Sequence, residues 1–348
     1  MSSMTKKERF YATIARETVD RPASWLGLPV PEALPAIYDY FKVKSVDELK
    51  DLIGDDVYPI EVPFHKEPGN HIAMAFDFAK QDDSGDQYEE RTLTAPGFFE
   101  DVTDLSVIDD FNWPKPKDHM SFDECKKLID DAPQNYALMG IMWSAHFQDA
   151  CAAFGMENAL MSMIVAPDMF DAVIDKITDF YLEANEIFYE AGKGKLDAVL
   201  IGNDFGSQRA LMLSPDLLRK HVFRGTKKLV EQAHSYGYKV VHHSCGAIHD
   251  IIPDLLDLGV DIIHPIQALA TNMDPYTLKK DFADKAAFCG GVDAQELLVN
   301  GTPEEVAAKV KELKELFPTG LVLSPSHEAI LEDINPANIE ALFAELKK

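Results

Sequence analysis

Four cysteines in 348 residues are a thin supply, and Cys125, Cys151, Cys245 and Cys289 are widely spaced. Small secreted domains are stapled by dense disulfides, so this pattern excludes that class and leads us to expect reduced thiols and a cytoplasmic setting. Long hydrophobic runs are missing too. No stretch of about 18 apolar residues occurs, so no transmembrane helix is expected. The opening MSSMTKKERF carries charge with no apolar stretch behind it, unlike a secretory signal. Basic residues are scarce beside acidic ones, 33 Lys and Arg against 59 Asp and Glu, for a net charge of −26. Such a surface repels phosphate backbones and anionic lipid, so neither nucleic acid nor a membrane is an expected partner. Low-complexity tracts and short repeats are absent.

From the middle of the chain onward one unit recurs: an apolar strand-like run, a loop and a capped helix. The strand runs fall at about 198–203, 239–244, 260–265, 286–291 and 320–324, and the first half supplies candidates at 23–28, 56–62 and 136–143. Helix starts are marked by Ser214-Pro215, Asp274-Pro275, Thr302-Pro303 and Asn335-Pro336, each an N-cap residue followed by proline at the first helical position. Eight strands alternating with helices predict a single-domain (β/α)8 TIM barrel over residues 1–348, because crossovers of that length enforce parallel pairing. Residues of about 69–103 fit the repeat poorly and read as a hairpin-like insertion after the second strand. A doubly wound open sheet is the structural alternative, but no GxGxxG loop follows any strand.

In such a barrel the loops after the strand C-terminal ends build the active site. The stretch KVVHHSCGAIHD, Lys239 to Asp250, places His243 and Cys245 two apart at a strand end, so both side chains can enter the barrel mouth while His242 faces away. Other strand ends carry Asp204, Gln267 and, in the last loop, His327. The expected metal set is His243, Cys245 and His327. Asp204 or Gln267 would act as a fourth ligand or as a group beside the metal. Three protein ligands with an open position are the arrangement of a catalytic zinc rather than a structural one. His264 and Glu328 read equally well as packing and solvated residues. Trp25, Phe64, Trp143 and Phe205 stand near strand ends, where aromatic rings can sandwich a flat substrate.

The segments NDFGSQRALMLSPDLLRKHV, KVVHHSCGAIHDIIPDLLDLGVDIIHPIQ, FCGGVDAQELL and LVLSPSHEAILEDINPANI together give the chain a resemblance, over nearly its whole length, to the uroporphyrinogen decarboxylase superfamily. HSCG and SPSH place it nearest the branch of corrinoid-dependent zinc methyltransferases. In those proteins a His-x-Cys pair and a later cysteine bind zinc. His243 and Cys245 match the pair, and His327 stands at the later cysteine's position. The resemblance implies a bound Zn2+, a separate corrinoid protein as partner and a small methylated substrate. Zinc with two neutral imidazoles and one thiolate carries a formal charge of about +1, against about zero with two thiolates, which suits withdrawal of charge from an ether oxygen. The expected reaction is therefore transfer of a methyl group from a methoxylated aromatic donor to the cob(I)amide of the corrinoid protein. Transfer from methylcorrinoid to a thiol or folate is the alternative, as are porphyrinogen decarboxylation and a non-enzymatic scaffold. The decarboxylase's arginine-rich loop has no counterpart after Trp25, where GLPVPEALP follows. A homodimer is left open.

Overall fold

The alternation of β-branched runs with capped helical segments folds into a curled parallel sheet wrapped by helices. The computed structural model describes residues 3–66, 72–78 and 94–348. Its strands are β1 (Leu28–Pro29), β2 (Val57–Glu61), β3 (Ala137–Trp143), β4 (Ala198–Gly202), β5 (Lys239–His243), β6 (Ile262–Ile266), β7 (Ala287–Val292), β8 (Leu321–Pro325) and β9 (Ala329–Ile330). Strands β2 to β8 form one sheet in sequence order, each hydrogen-bonded in parallel to the next. The two-residue β1 and β9 pair separately at the rim.

The expected first barrel strand, 23–28, is reduced to a single bridge. Ser24 pairs with Leu323 of β8, and its carbonyl accepts the Asp56 N–H on the β2 side at 3.3 Å. That segment therefore spans the gap between the first and last strands of the sheet and completes a TIM-barrel-like ring. Side chains supply what the missing ladder does not. Asp56 Oδ2 accepts the Ser24 N–H at 3.0 Å, and Asp55 Oδ2 accepts the Leu26 N–H at 3.0 Å. Both carboxylates are wholly buried. Lys50 pairs with Asp55, while Arg9 and Arg21 each reach Asp56 at 2.6 Å. A buried carboxylate survives only when its charge is met in this way.

Period-two alternation sorts the strand residues into two cores. Val57, Met139, Ile141, Leu200, Val241, Ile262, Cys289 and Val322 fill the barrel interior with Trp25. Phe10 and Ile14 of the helix Lys6–Ile14 join the same cluster and plug its N-terminal end. The opposite faces pack against the helices in a second, larger core.

The four proline-marked helices begin where their caps predict. Two departures from the expected pattern are local. The helix after Ser214 contains a π-turn at Leu218–Val222 before continuing as Phe223–Ser235. Pro253 shortens the helix after β5, sitting in the first turn of Ile252–Asp257, where its missing N–H costs no hydrogen bond. The hairpin expected within 69–103 falls mostly on residues 69–71 and 79–93, outside the described residues. Of the remainder, Phe78 and Phe99 pack with Phe111 and Trp113, and Phe76 rests on Phe180 and Tyr181. Among the described residues no helix is long and apolar enough to cross a membrane.

Candidate metal centre

Strand parity decides which side chains crown the barrel interior. Val241 points inward, so His243 does as well, and Ile141 and Ile262 likewise carry Trp143 and His264 to the inner side. His242 takes the other face and stacks on Phe205 at 5.7 Å between ring centroids. Its two ring nitrogens are buried without a hydrogen-bond partner among the described residues, and burial pushes its pKa down to about 3, so it stays neutral. The neighbouring strand must leave room for His243. A Cβ on Gly202 of β4 would lie 2.6 Å from the His243 Cβ and 2.3 Å from its carbonyl oxygen, so only glycine fits there. Gly206 and Gly246 approach each other just as closely: a Cβ on Gly246 (φ +86°) would meet the Gly206 carbonyl at 2.5 Å. This contact brings the loop after β4 against the loop that carries Cys245.

The outer edge of the His243 ring faces a carboxylate and a thiol. Its Nε2 lies 3.3 Å from Asp204 Oδ1 and 3.5 Å from Cys245 Sγ. Asp204 Oδ1 also accepts the Cys245 N–H at 2.8 Å, and Gln148 Nε2 reaches Asp204 Oδ2 at 3.5 Å. One donor atom from each of Asp204, His243 and Cys245 falls within 4.8 Å of the others. His327 stands beside this set without joining it: its ring centroid lies 6.1 Å from that of His243, and it is not among the donors within 4.8 Å of one another. Its Nδ1 accepts the Ala329 N–H at 3.1 Å. Gln267 is engaged in the loop, its Oε1 accepting the Gly246 N–H at 2.6 Å.

The inner edge of the same ring faces a second set. His243 Nδ1 lies 3.1 Å from His264 Nδ1 and 3.4 Å from Glu328 Oε2. These three donors also lie within 4.8 Å of one another. His264 is wholly buried and the Glu328 side chain is 12% exposed. In the sequence both residues read as packing or solvent-facing groups, and the fold brings them into the site. Parity with Ile262 is the signal that could have found His264. Nothing in the sequence signals that Glu328 turns inward while His327 lies at the rim. Of the four aromatics expected near the mouth, Trp143 reaches His243, edge to face at 5.3 Å. Trp25 packs on His264 at 5.2 Å. Phe64 and Phe205 are buried in the outer core.

The electrostatics are those of anions gathered around imidazole. Burial works against the Asp204 carboxylate, yet its bonds to His243 and to the Cys245 N–H hold its pKa below the ordinary value. Burial likewise opposes the Cys245 thiolate, and hydrogen bonds from His243 and His327 outweigh it, so this thiol ionises more readily than a free one. His243, for all its burial, is driven well upward by Asp204, Cys245 and Glu328. His264 is driven well downward, first by burial and then by His243 and His327. The other cysteines, Cys125, Cys151 and Cys289, are buried thiols whose pKa values burial raises.

Comparison with known proteins adds three findings. The family model described as uroporphyrinogen decarboxylase (URO-D) matches residues 85–348. A uroporphyrinogen decarboxylase from Acidiphilium cryptum is 26% identical over 188 residues, which cover 52% of this chain and 48% of that protein. The chain thus spans about half the length of that curated relative. A methyltransferase from Methanosarcina mazei superposes with a TM-score of 0.68 at 18% identity, covering 99% of this chain and 98% of that one. At that identity the likeness is one of fold.

Proposed function

The chain belongs to the uroporphyrinogen decarboxylase family, and within that family we propose that it is a zinc-dependent methyltransferase. It moves a methyl group from a small methoxylated aromatic donor in the barrel mouth to the cob(I)amide of a separate corrinoid protein. The observation that carries this reading is the convergence of Asp204, His243 and Cys245 at adjacent strand tips. Nitrogen, sulfur and carboxylate oxygen are zinc's preferred donors. Their 3.3 and 3.5 Å separations from His243 Nε2 match the edges of a tetrahedron with bonds of about 2.0–2.3 Å. His327, expected from the sequence as the third ligand, lies outside this group of donors, and we propose it as a neighbour of the site rather than as one of the three.

When bound, zinc would supply Lewis acidity toward the donor's ether oxygen, with Asp204 beside the Cys245 thiolate bringing its formal charge to about zero instead of the about +1 expected for His243, Cys245 and His327. The chain's own residues do the rest by holding positions. The Cys245 N–H and Gln148 orient Asp204. Gln267 fixes Gly246 and with it the turn that presents Cys245. His264 and Glu328 flank His243 Nδ1, the ring nitrogen turned away from Asp204 and Cys245. Trp143 lines the mouth beside His243 and offers an apolar wall to a flat ring. The nucleophile belongs to the partner, so no side chain here has to attack.

Metal analysis of the purified protein beside Cys245→Ser tests the site, with about one equivalent of zinc per chain fewer expected in the variant than in the parent. Incubation with methoxybenzenes and a reduced corrinoid protein tests the reaction: methyl–cobalt absorbance and free phenol should appear only when both proteins are present. The second reading, metal-independent decarboxylation, is favoured by the family description and by the curated relative. A metal-free protein that releases carbon dioxide from a porphyrinogen would establish it and remove the first.

A further inference from the structure

His243 presents donor sets on both edges of one ring, and we infer that it is shared by two divalent cations, the second held inside the barrel by His243 Nδ1, His264 Nδ1 and Glu328. The inference rests on the outer site proposed above and adds an inner one. Its geometric basis is the pair of separations from His243 Nδ1, 3.1 Å to His264 Nδ1 and 3.4 Å to Glu328 Oε2. Both are edges that a cation with bonds of about 2.0–2.2 Å to nitrogen and carboxylate oxygen would span. An independent observation points the same way. Glu328 Oε2 is buried and, among the described residues, makes no hydrogen bond; it only faces His243 Nδ1 at 3.4 Å and His327 Nδ1 at 3.5 Å across ion-pair distances. A buried carboxylate oxygen without a hydrogen bond is costly, and a cation between it and the two Nδ1 atoms of His243 and His264 would satisfy it.

The charge balance closes. As the inner ion arrives, the proton on the edge shared by His243 Nδ1 and His264 Nδ1 leaves to solvent, and His243 becomes an imidazolate bridging the two ions. The charge of two divalent cations is then met by Asp204, Cys245, Glu328 and the imidazolate. His264 remains neutral and keeps its proton on Nε2. His327, next to Glu328, has a side chain 41% exposed, so the inner set lies one residue from the surface.

The test is a titration of the metal-free protein with Co2+ under anaerobic conditions. Elemental analysis counts all bound cobalt, while thiolate-to-cobalt absorbance reports only the ion on Cys245. We expect the thiolate band to saturate at one equivalent and bound cobalt to continue to two. Glu328→Gln, and separately His264→Asn, should lower the count to one and leave the band, with circular dichroism confirming the fold of each. Bound cobalt that stops at one equivalent together with the band would overturn the inner site while sparing the outer one. So would two equivalents retained by both variants. No thiolate band at any loading would overturn the outer site and, with it, the shared imidazole.

Discussion

The two ends of the barrel treat buried anions in opposite ways. At the N-terminal end Asp55 and Asp56 have no exposed surface, yet each meets a full cation: Lys50 for Asp55, Arg9 and Arg21 for Asp56. Asp20 at the edge of that network is held well below the ordinary carboxylate range, first by Arg9. At the C-terminal end Asp204, Cys245 and Glu328 are gathered as tightly, but their partners are imidazoles. Among the described residues no Lys or Arg forms an ion pair with Asp204 or Glu328. The lower network has its charge closed by permanent cations and holds the first segment of the ring to β2 and β8. The upper one has its charge closed only by groups that can release a proton, so a metal ion can take the proton's place. An end built for stability and an end built for exchange differ in which cations were placed there, not in how many anions.

The comparison can be broken at either end. The largest effect is expected from Cys245→Ser, which should empty the outer site and lower methyl transfer by at least about 100-fold, more than loss of a supporting residue costs. Its melting temperature should fall far less than that of a lower-network variant. Elemental analysis, methyl–cobalt absorbance and calorimetry on one preparation check all three. Lys50→Met should do the reverse. It strands Asp55 in the interior at a cost of about 3–5 kcal/mol, which amounts to a fall of roughly 5–15 °C in Tm. The protein that remains folded should keep its metal. A smaller version comes from Ser24→Ala, because the Ser24 hydroxyl donates toward both Asp55 and Asp56. Loss of that donor to charged acceptors should cost about 2 kcal/mol, read from denaturant midpoints.

Much of this is legible in the sequence for physical reasons. Seven of the eight expected strands are present because buried parallel strands read as continuous apolar runs. His243 and Cys245 stand out because a period of two fixes their side of the sheet. The first strand misleads: ASWLGL is as apolar as a strand, but its pairing is carried by Ser24 and by carboxylates of Asp55 and Asp56 that no periodicity reveals. Asp204 is expected at a strand tip, yet its closeness to His243 depends on Gly202 and on the Gly206–Gly246 contact, which are tertiary facts. Glu328 is hidden because a residue in a loop has no period from which its direction can be read.

A third way of keeping a buried carboxyl sharpens the comparison. Asp149, on the helix His146–Phe154, meets neither Lys nor Arg nor imidazole among the described residues; its Oδ2 accepts the Tyr181 hydroxyl at 2.5 Å. Burial raises its pKa to about 7, against the opposing pull of that hydrogen bond. In the unfolded chain the group titrates near about 3.9. Between these values the folded protein holds a proton that the unfolded chain has released, so rising pH favours unfolding. The contribution is fully present below about pH 4 and is lost as pH climbs through about 7. Asn keeps an acceptor for Tyr181 and does not titrate. Asp149→Asn should therefore gain Tm relative to the parent steadily from about pH 4 to 7, by roughly 5–12 °C in all, and hold a constant difference above about pH 8. A difference that stays flat across that range would mean the carboxyl is ionised in the fold at low pH. The rule drawn from the two barrel ends, that a buried acid here must be met by a cation or by a site for one, would then lack its neutral exception.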